Sequence, residues 1–519
     1  MREAQPRFDP LSRRTIARDV WSIFQEEKAK LKSILSVNSQ RVSLTTDTWT
    51  SIQNVNYMAL TAHFIDDGWN LHKRILNFCQ ISNHKGEAIR RLIEKCFADW
   101  GIEKVFSITV DSASANDGAV RYIKSHLNDW NTLLCDGEML HMRCCAHITN
   151  LIVFDGVFEL HDTIKSIRKA CRYTRSLPSR SEKFRQCLFL AKIGSKSLLT
   201  LECKTRWNST YLMLDAALKL QKGFDRLALE DANCEAYFND VNKDEIPKQN
   251  KRRFGGEASS KTRVRPPTVK DWHYARDFVT FLKRFYDATL KFRASKMVTA
   301  NAPFHAMAKI VNGLNGMMQS QDPFMKRVAT SMKKKYAKYW GQIRDESKVD
   351  EIIVEVKKVL MHLYEEYKKE NPSIYHSYVE EITESEPDQS VESDPMLEQF
   401  MRSRKDKDVV QIGNKVDKYL LEPAENLKNL KFNLLGWWKE HSPRFPIMSK
   451  VAKDIFVVSI SSVHSESAFS ARKKVVDPFR ACLTPKTVEA LICTNDWLRS
   501  EGFDFNKEPT EDELELYLT

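Results

Sequence analysis

Val42-Ser43-Leu44-Thr45-Thr46-Asp47 and Val105-Phe106-Ser107-Ile108-Thr109-Val110-Asp111 are two short runs, apolar and rich in β-branched residues, and each ends on an aspartate. Runs of this kind read as buried strands, and an acid at the C-terminal end of such a strand points out of the sheet edge. Two neighbouring strands that end this way can bring two carboxylates around a pair of divalent ions. Far downstream, Ser462-Val463-His464-Ser465-Glu466-Ser467-Ala468-Phe469-Ser470 places a glutamate among similar small residues. The chemistry to which the acids point is phosphoryl transfer.

The flanking sequence says how the two runs meet. Residues 11–36 carry Ile16, Val20, Ile23, Phe24, Leu31 and Ile34 at helical spacing and predict one amphipathic helix. Segments 41–46, 57–65 and 71–79 are short and β-branched or aromatic, and Asp66-Asp67-Gly68 is a hairpin turn between the last two. Three consecutive antiparallel strands follow. Over 86–100 the period changes to Ile89, Leu92, Ile93, Cys96 and Phe97, a helical face closed by Gly101. A helix between strands is a crossover, so 105–110 should return parallel to the first strand. A helix over 117–134 and a short apolar segment at 139–147 complete the order βββαβαβ, which sets the strands ending in Asp47 and Asp111 side by side at the sheet centre.

From about 148 to 450 the pattern is almost wholly helical, with candidates at 158–173, 210–229, 269–292, 302–319, 322–340 and 349–368. A basic Gly/Pro/Ser-rich stretch at 247–267 and an acidic one at 380–394 read as linkers. The region 434–498 restores apolarity, with Trp437-Trp438, the run 455–460 and a last helix over 484–498 begun by Thr484-Pro485. At 519 residues the chain exceeds one core, and its net charge of +12 suits a polyanionic partner. Eleven scattered cysteines without a Cys-x-x-Cys pair point to a reducing compartment. No stretch reaches the roughly 18 apolar residues that a membrane span requires, so neither a membrane nor a small-molecule substrate is expected.

Five ordered motifs carry a family resemblance. Thr45-Thr46-Asp47-Thr48-Trp49-Thr50-Ser51, Asp111-Ser112-Ala113-Ser114-Ala115-Asn116-Asp117, Arg143-Cys144-Cys145-Ala146-His147-Ile148-Thr149-Asn150-Leu151, Thr205-Arg206-Trp207-Asn208-Ser209-Thr210-Tyr211 and Ser465-Glu466 resemble those of hAT-superfamily transposases, and among them the plant RICESLEEPER/DAYSLEEPER-type group. The resemblance covers about residues 11–500. It implies a ribonuclease-H-like α/β fold, the mixed sheet interrupted by a long all-α insertion, with a C-terminal dimerisation region. The divisions expected are an N-terminal helix at 11–36, the first part of the core at 37–210, the insertion at 211–430, and at 431–500 the dimerisation region carrying the third acid.

By motif match Asp47, Asp111 and Glu466 take the positions of an acidic triad that holds Mg2+ or Mn2+. In that chemistry the ions activate water or a 3′ hydroxyl and stabilise the leaving oxygen during DNA strand cleavage and transfer. The resemblance also places His147 near the scissile phosphate, and sets Trp207, with Arg206 beside phosphate, against unpaired DNA bases. The sequence departs from the family in three places. It shows no Cys-x-x-Cys and His pair of an N-terminal BED finger, it runs straight from 341–348 into Val349 where relatives carry a further segment, and Ser467 follows Glu466 where a basic residue is more usual. The leading expectation is a nuclear, DNA-associated, homodimeric hAT transposase-like protein, domesticated or decayed. An active metal-dependent transposase and a protein-interaction scaffold are the alternatives.

Plainer roles compete for several of these residues. Asp47 and Asp111 can cap turns through the hydroxyls that follow them. Cys144 and His147 have zinc-like spacing, but no second pair lies nearby, so structural zinc is not expected. Trp207 can be a core anchor. The basic runs at 251–253, 263–265 and 333–335 can be solvated faces, the first two doubling as a nuclear import signal. The aromatics of 430–500 exceed what that span can bury in itself, and the last helix and Trp437-Trp438 are expected to keep apolar surface for a dimer.

Overall fold

Ser12 Oγ accepts the Thr15 amide to start helix α1 (Arg13–Val37), which buries Phe24, Glu27 and Leu31 on one side. The chain then enters a meander of β1 (Val42–Thr50), β2 (Asn56–Ile65) and β3 (Leu71–Ile81), antiparallel throughout. Helix α2 (Gly86–Trp100) ends at Gly101, whose φ of 67° lies in the left-handed region that a residue without Cβ adopts at little cost. Strand β4 (Val105–Val110) returns parallel to β1, and after α3 (Ser114–Asp129) the short β5 (His141–Arg143) adds parallel to β4. The order β3-β2-β1-β4-β5 is the one that the βββαβαβ pattern requires. Every residue of β4 is buried, as a central parallel strand covered on both faces must be.

This computed structural model describes residues 12–38, 40–51, 54–129, 132–194, 199, 207–239, 264–293, 298–341, 349–373, 415–423, 432–463, 465 and 483–500. The chain divides into two compact units, one made of Met1–Cys144, Ala294–Ala300 and Glu346–Thr519, the other of Cys145–Arg293 and Asn301–Asp345.

The second unit is helical: α4 (Cys145–Glu159), α5 (His161–Arg175), α6 (Pro178–Leu190), α7 (Trp207–Lys219), α8 (Gln221–Glu230), α9 (Ala232–Asn239), α10 (Val269–Phe292), α11 (Ala302–Met318) and α12 (Pro323–Trp340). The helix expected over 158–173 is α5, which starts at His161, and α4 precedes it across a break at Leu160. Helix α4 has no polar stripe, burying Cys145, Ala146, Ile148, Thr149, Ile152, Val153 and Gly156, so its sequence lacks the amphipathic period that marks a helix. Gly156 permits a close approach, because a Cβ there would meet Met332 Sδ of α12 at 2.5 Å. Helix α10 begins with a capping box between Thr268 and Asp271.

The chain returns to the sheet unit with α13 (Val349–Glu370), α14 (Lys415–Leu420), α15 (Leu434–His441), α16 (Pro446–Phe456) and α17 (Pro485–Ser500). Here one expectation is corrected. Helix α17 keeps no bare apolar face, because it lies between β3 and α1 and buries Val488, Ala490, Ile492, Cys493 and Trp497. Trp497 stacks on Phe24 at 5.3 Å and donates its indole N–H to the Ile75 carbonyl at 2.8 Å, while Asp496 accepts the Ile75 amide. Trp438 is likewise 2% exposed and stacks on Trp69 at 6.1 Å. Among the described residues no helix is long and apolar enough to cross a membrane.

Candidate metal and DNA site

Side chains alternate along a strand, so Ser43, Thr45 and Asp47 share one face of β1. The parallel register pairs Ser43 with Ser107 and Thr45 with Thr109. The face is therefore a ladder of small polar rungs, the first tied by a Ser107 to Ser43 hydroxyl bond of 3.0 Å. Asp47 and Asp111 stand two residues past the last of these pairs, in position for the next rung, on strands spaced about 4.8 Å apart.

A rung of hydroxyls in a buried sheet needs hydrogen-bond partners, and a chain segment hundreds of residues away supplies them. Thr109 Oγ1 donates to the Ser459 carbonyl at 2.5 Å. The Ser465 hydroxyl donates to the Thr45 carbonyl at 2.9 Å and lies 3.0 Å from Thr45 Oγ1 and 3.3 Å from Thr61 Oγ1. Thr45 Oγ1 also meets His63 Nε2 at 3.2 Å. Cys144 is buried beside the same segment, 3.8 Å from Ser461 Oγ, and its sulfur accepts the Ser462 amide at 3.3 Å. Residues 457–462 thus lie on the sheet as an irregular, serine-rich strap that leads into helical backbone at Val463 and Ser465, and its polar groups are met by Ser, Thr and Cys. The signal in the sequence was the alternation of Ser and Thr through β1 and β4, a buried polar face that needs hydrogen-bond partners from elsewhere in the chain.

Asp47 is half-buried, and its Oδ1 accepts the Thr48 amide at 2.8 Å. Asp111 is half-buried too, with Oδ1 accepting the Ala113 amide at 2.9 Å and the Asn116 side-chain amide at 2.6 Å. Each aspartate thus holds the backbone that follows it with its Oδ1. Two carboxylates on one partly solvated face are a donor set that fits a hard divalent cation. Among the described residues no three His, Cys, Asp or Glu side chains are grouped for a metal. Glu466 lies outside the described residues, but Ser465 before it is fully buried against Thr45.

A second feature was missed from sequence. Arg41, at the entrance to β1, is buried with its amide donating to Asp454 Oδ1 at 3.2 Å and its guanidinium 3.7 Å from Asp454 Oδ2 and in an ion pair with Glu370. The Tyr367 hydroxyl donates to the same carboxylate, and the guanidinium lies 5.1 Å from the Tyr367 ring centre. This hub ties α13 and α16 to the first residue before the sheet, and α16 leads directly into the strap.

The other residues singled out from sequence fall in the helical unit or outside the description. His147 is half-buried in the first turn of α4. Trp207 opens α7, is 3% exposed, and packs edge-on to Phe285 at 6.5 Å. Arg206, the basic runs up to Arg263, the acidic linker at 380–394, Phe469 and Phe479 lie outside the described residues. Arg265 pairs with Asp271, Lys333 with Asn315 and Lys335 with Asp155.

Three family descriptions match the chain: ZBED1 RNase-like domain over 45–139, ZBED1 RNase-like helical domain over 142–250, and hAT family C-terminal dimerisation region over 415–498. A "Putative AC transposase" of Zea mays is 31% identical over 96% of this chain and 62% of its own length. "Zinc finger BED domain-containing protein RICESLEEPER 2" of Oryza sativa subsp. japonica is 29% identical over 95% of the chain and 70% of its own length. "Zinc finger BED domain-containing protein DAYSLEEPER" of Arabidopsis thaliana is 26% identical over 95% and 69%. The chain spans about 62% of the length of the Zea mays relatives. A ribonuclease-like sheet, a helical domain and a dimerisation region in this order define the class. The chain is similar over about 95% of its length to hAT transposase-like proteins, among them those of the RICESLEEPER and DAYSLEEPER group.

Proposed function

We propose that this chain is a nuclear DNA-binding protein, homodimeric through its C-terminal region, in which Asp47, Asp111 and Glu466 hold divalent metal. The observation that supports it most is the parallel register of β1 and β4, which pairs Thr45 with Thr109 two residues before Asp47 and Asp111, with Ser465 seated against Thr45. Bound Mg2+ or Mn2+ would polarise a phosphodiester and ready its attacking oxygen. The chain's own residues do the positioning. The serine and threonine rungs fix the strands in register, the strap seats Ser465 beside Thr45, and Asn116 and the Ala113 amide hold Asp111 by one oxygen. His147 and Arg206 are proposed DNA contacts. The ring of Trp207 would stack on a base only after leaving Phe285. Ser467 in place of a basic residue favours a second form of the same proposal, a domesticated protein that binds metal and DNA without turnover.

The test is Mn2+ binding followed by electron paramagnetic resonance, beside nicking of supercoiled plasmid. Asp47→Asn and Asp111→Asn should each weaken Mn2+ binding at least about tenfold, the loss of one charged ligand from a small set, while DNA binding persists. Nicking by the unmodified chain that both variants lose identifies the active form. Metal binding without nicking identifies the domesticated one. Mn2+ affinity unchanged in both variants would remove the acidic site altogether.

A further inference from the structure

Helices α10 and α11 face each other across an open groove of about 680 Å3 in the helical unit. Asp277, Thr280, Phe281 and Arg284 line it from α10 at helical spacing, and Lys309, Asn312, Gly313 and Gly316 are among those from α11. Its floor is apolar, since Phe281 and Met325 are buried, while Thr280, Arg284, Lys309 and Asn312 are exposed. Gly313 makes room for Arg284: a Cβ there would lie 3.1 Å from Arg284 Cδ and 3.3 Å from Nε. Gly316 is open, with nothing within 4 Å of such a Cβ. The face of α11 is therefore bare where the groove passes, with an arginine laid across it.

Charge supplies the independent observation. Residues 265–293 and 301–341 contain fourteen Lys and Arg against four Asp and no Glu, a surplus of ten in a chain whose net charge is +12. Among the described residues neither Arg284 nor Lys309 has an ion-pair partner. Asp277, the acid on the groove, sits 3.3 Å from His273 of its own helix. Two unpaired cations flanked by Thr and Asn side chains are the residue types that contact phosphate oxygens, and an open floor without base-sized enclosure suits backbone and not base edges.

We propose that the α10–α11 groove seats the phosphodiester backbone of a nucleic acid, a contact that rests on the DNA binding proposed above and adds to it a specific, sequence-independent surface. The probe is a fluorescein-labelled 30-base-pair duplex of arbitrary sequence, titrated with the full chain by anisotropy over a series of KCl concentrations. Each phosphate contact adds about 0.9 to the slope of log affinity against log salt. The double variant Arg284→Gln/Lys309→Gln should therefore lower the slope by about 1.8, and Gly316→Leu should weaken binding by filling the groove with no change of charge. Lys283→Gln, on α10 outside the groove lining, should leave the slope nearer to that of the unmodified chain. Melting curves on all variants establish that they are folded. If the unmodified chain binds duplex and the double variant binds with the same slope and affinity, the groove assignment is overturned and the DNA-binding proposal stands. If the unmodified chain does not bind, both fall. Binding of pyrophosphate that the double variant loses, with the duplex slope unaltered, would make the groove a seat for a small phosphorylated ligand and overturn the backbone assignment.

Discussion

Replacing Asp454 by asparagine should make the protein more stable at neutral pH. Asp454 is fully buried, and burial pushes its carboxyl up to about 6 even though the Tyr367 hydroxyl and Arg41 favour the charged form. An unfolded aspartate titrates near about 3.9. The folded pKa is therefore the higher one, so between roughly pH 4 and 6 the folded state holds a proton that the unfolded state has lost. Stability from this group is present below about pH 4 and is lost as pH rises through about 6. Roughly two pH units at about 1.4 kcal/mol each amount to a penalty near 3 kcal/mol for the ionised form above pH 6. Asparagine has the shape of the protonated acid and keeps an oxygen for the Arg41 amide, while Arg41 retains Glu370 as counter-charge. Urea unfolding at pH 7.5 should place Asp454→Asn up to about 3 kcal/mol above the parent, with the gap closing towards pH 4. Asp454→Ala should instead lose about 1–3 kcal/mol for each bond it leaves unmade to the Arg41 amide and Tyr367. A parent more stable than Asp454→Asn at pH 7.5 would refute the reasoning, because the ion pair with Arg41 would then outweigh burial.

In the helical unit the sign reverses at Asp271: burial alone would raise its carboxyl, but hydrogen bonds from Arg265, Thr268 and Thr163 hold it well below the usual range. Its contribution is present above the unfolded value and fades as pH falls below about 4, so Asp271→Asn should flatten the acid limb of a thermal melt monitored by circular dichroism. Trp207→Ala should cost about 3–5 kcal/mol as a core truncation, and a loss below about 1 kcal/mol in denaturant titration would remove Trp207 from the core. Deletion of 485–519 should yield insoluble or non-cooperatively unfolding protein, since α17 covers β3. A soluble, folded monomer from that deletion would show that the helix serves assembly alone.

Local pattern was enough for the central architecture. The alternating runs at 42–47 and 105–110, the Asp66-Asp67-Gly68 turn and the Gly101 stop sit within short stretches whose backbone preferences agree with one another, and they led to the order of five strands with Asp47 and Asp111 on neighbours. The break at Leu160 was hidden because α4 is apolar on all sides and presents no period. The strap and the Arg41–Asp454 hub were beyond reach for another reason. Their partners lie hundreds of residues apart, and a serine at 465 carries no mark of the threonine at 45 that will accept it. The same holds for α17, whose apolar residues read from sequence as surface awaiting a second chain and in the fold are covered by β3 and α1. Sequence by itself determined which segments could be strand or helix, because those choices turn on neighbours within a few residues. Tertiary structure alone decided which buried face each segment covers, because that depends on complementary surfaces that only a folded chain brings together.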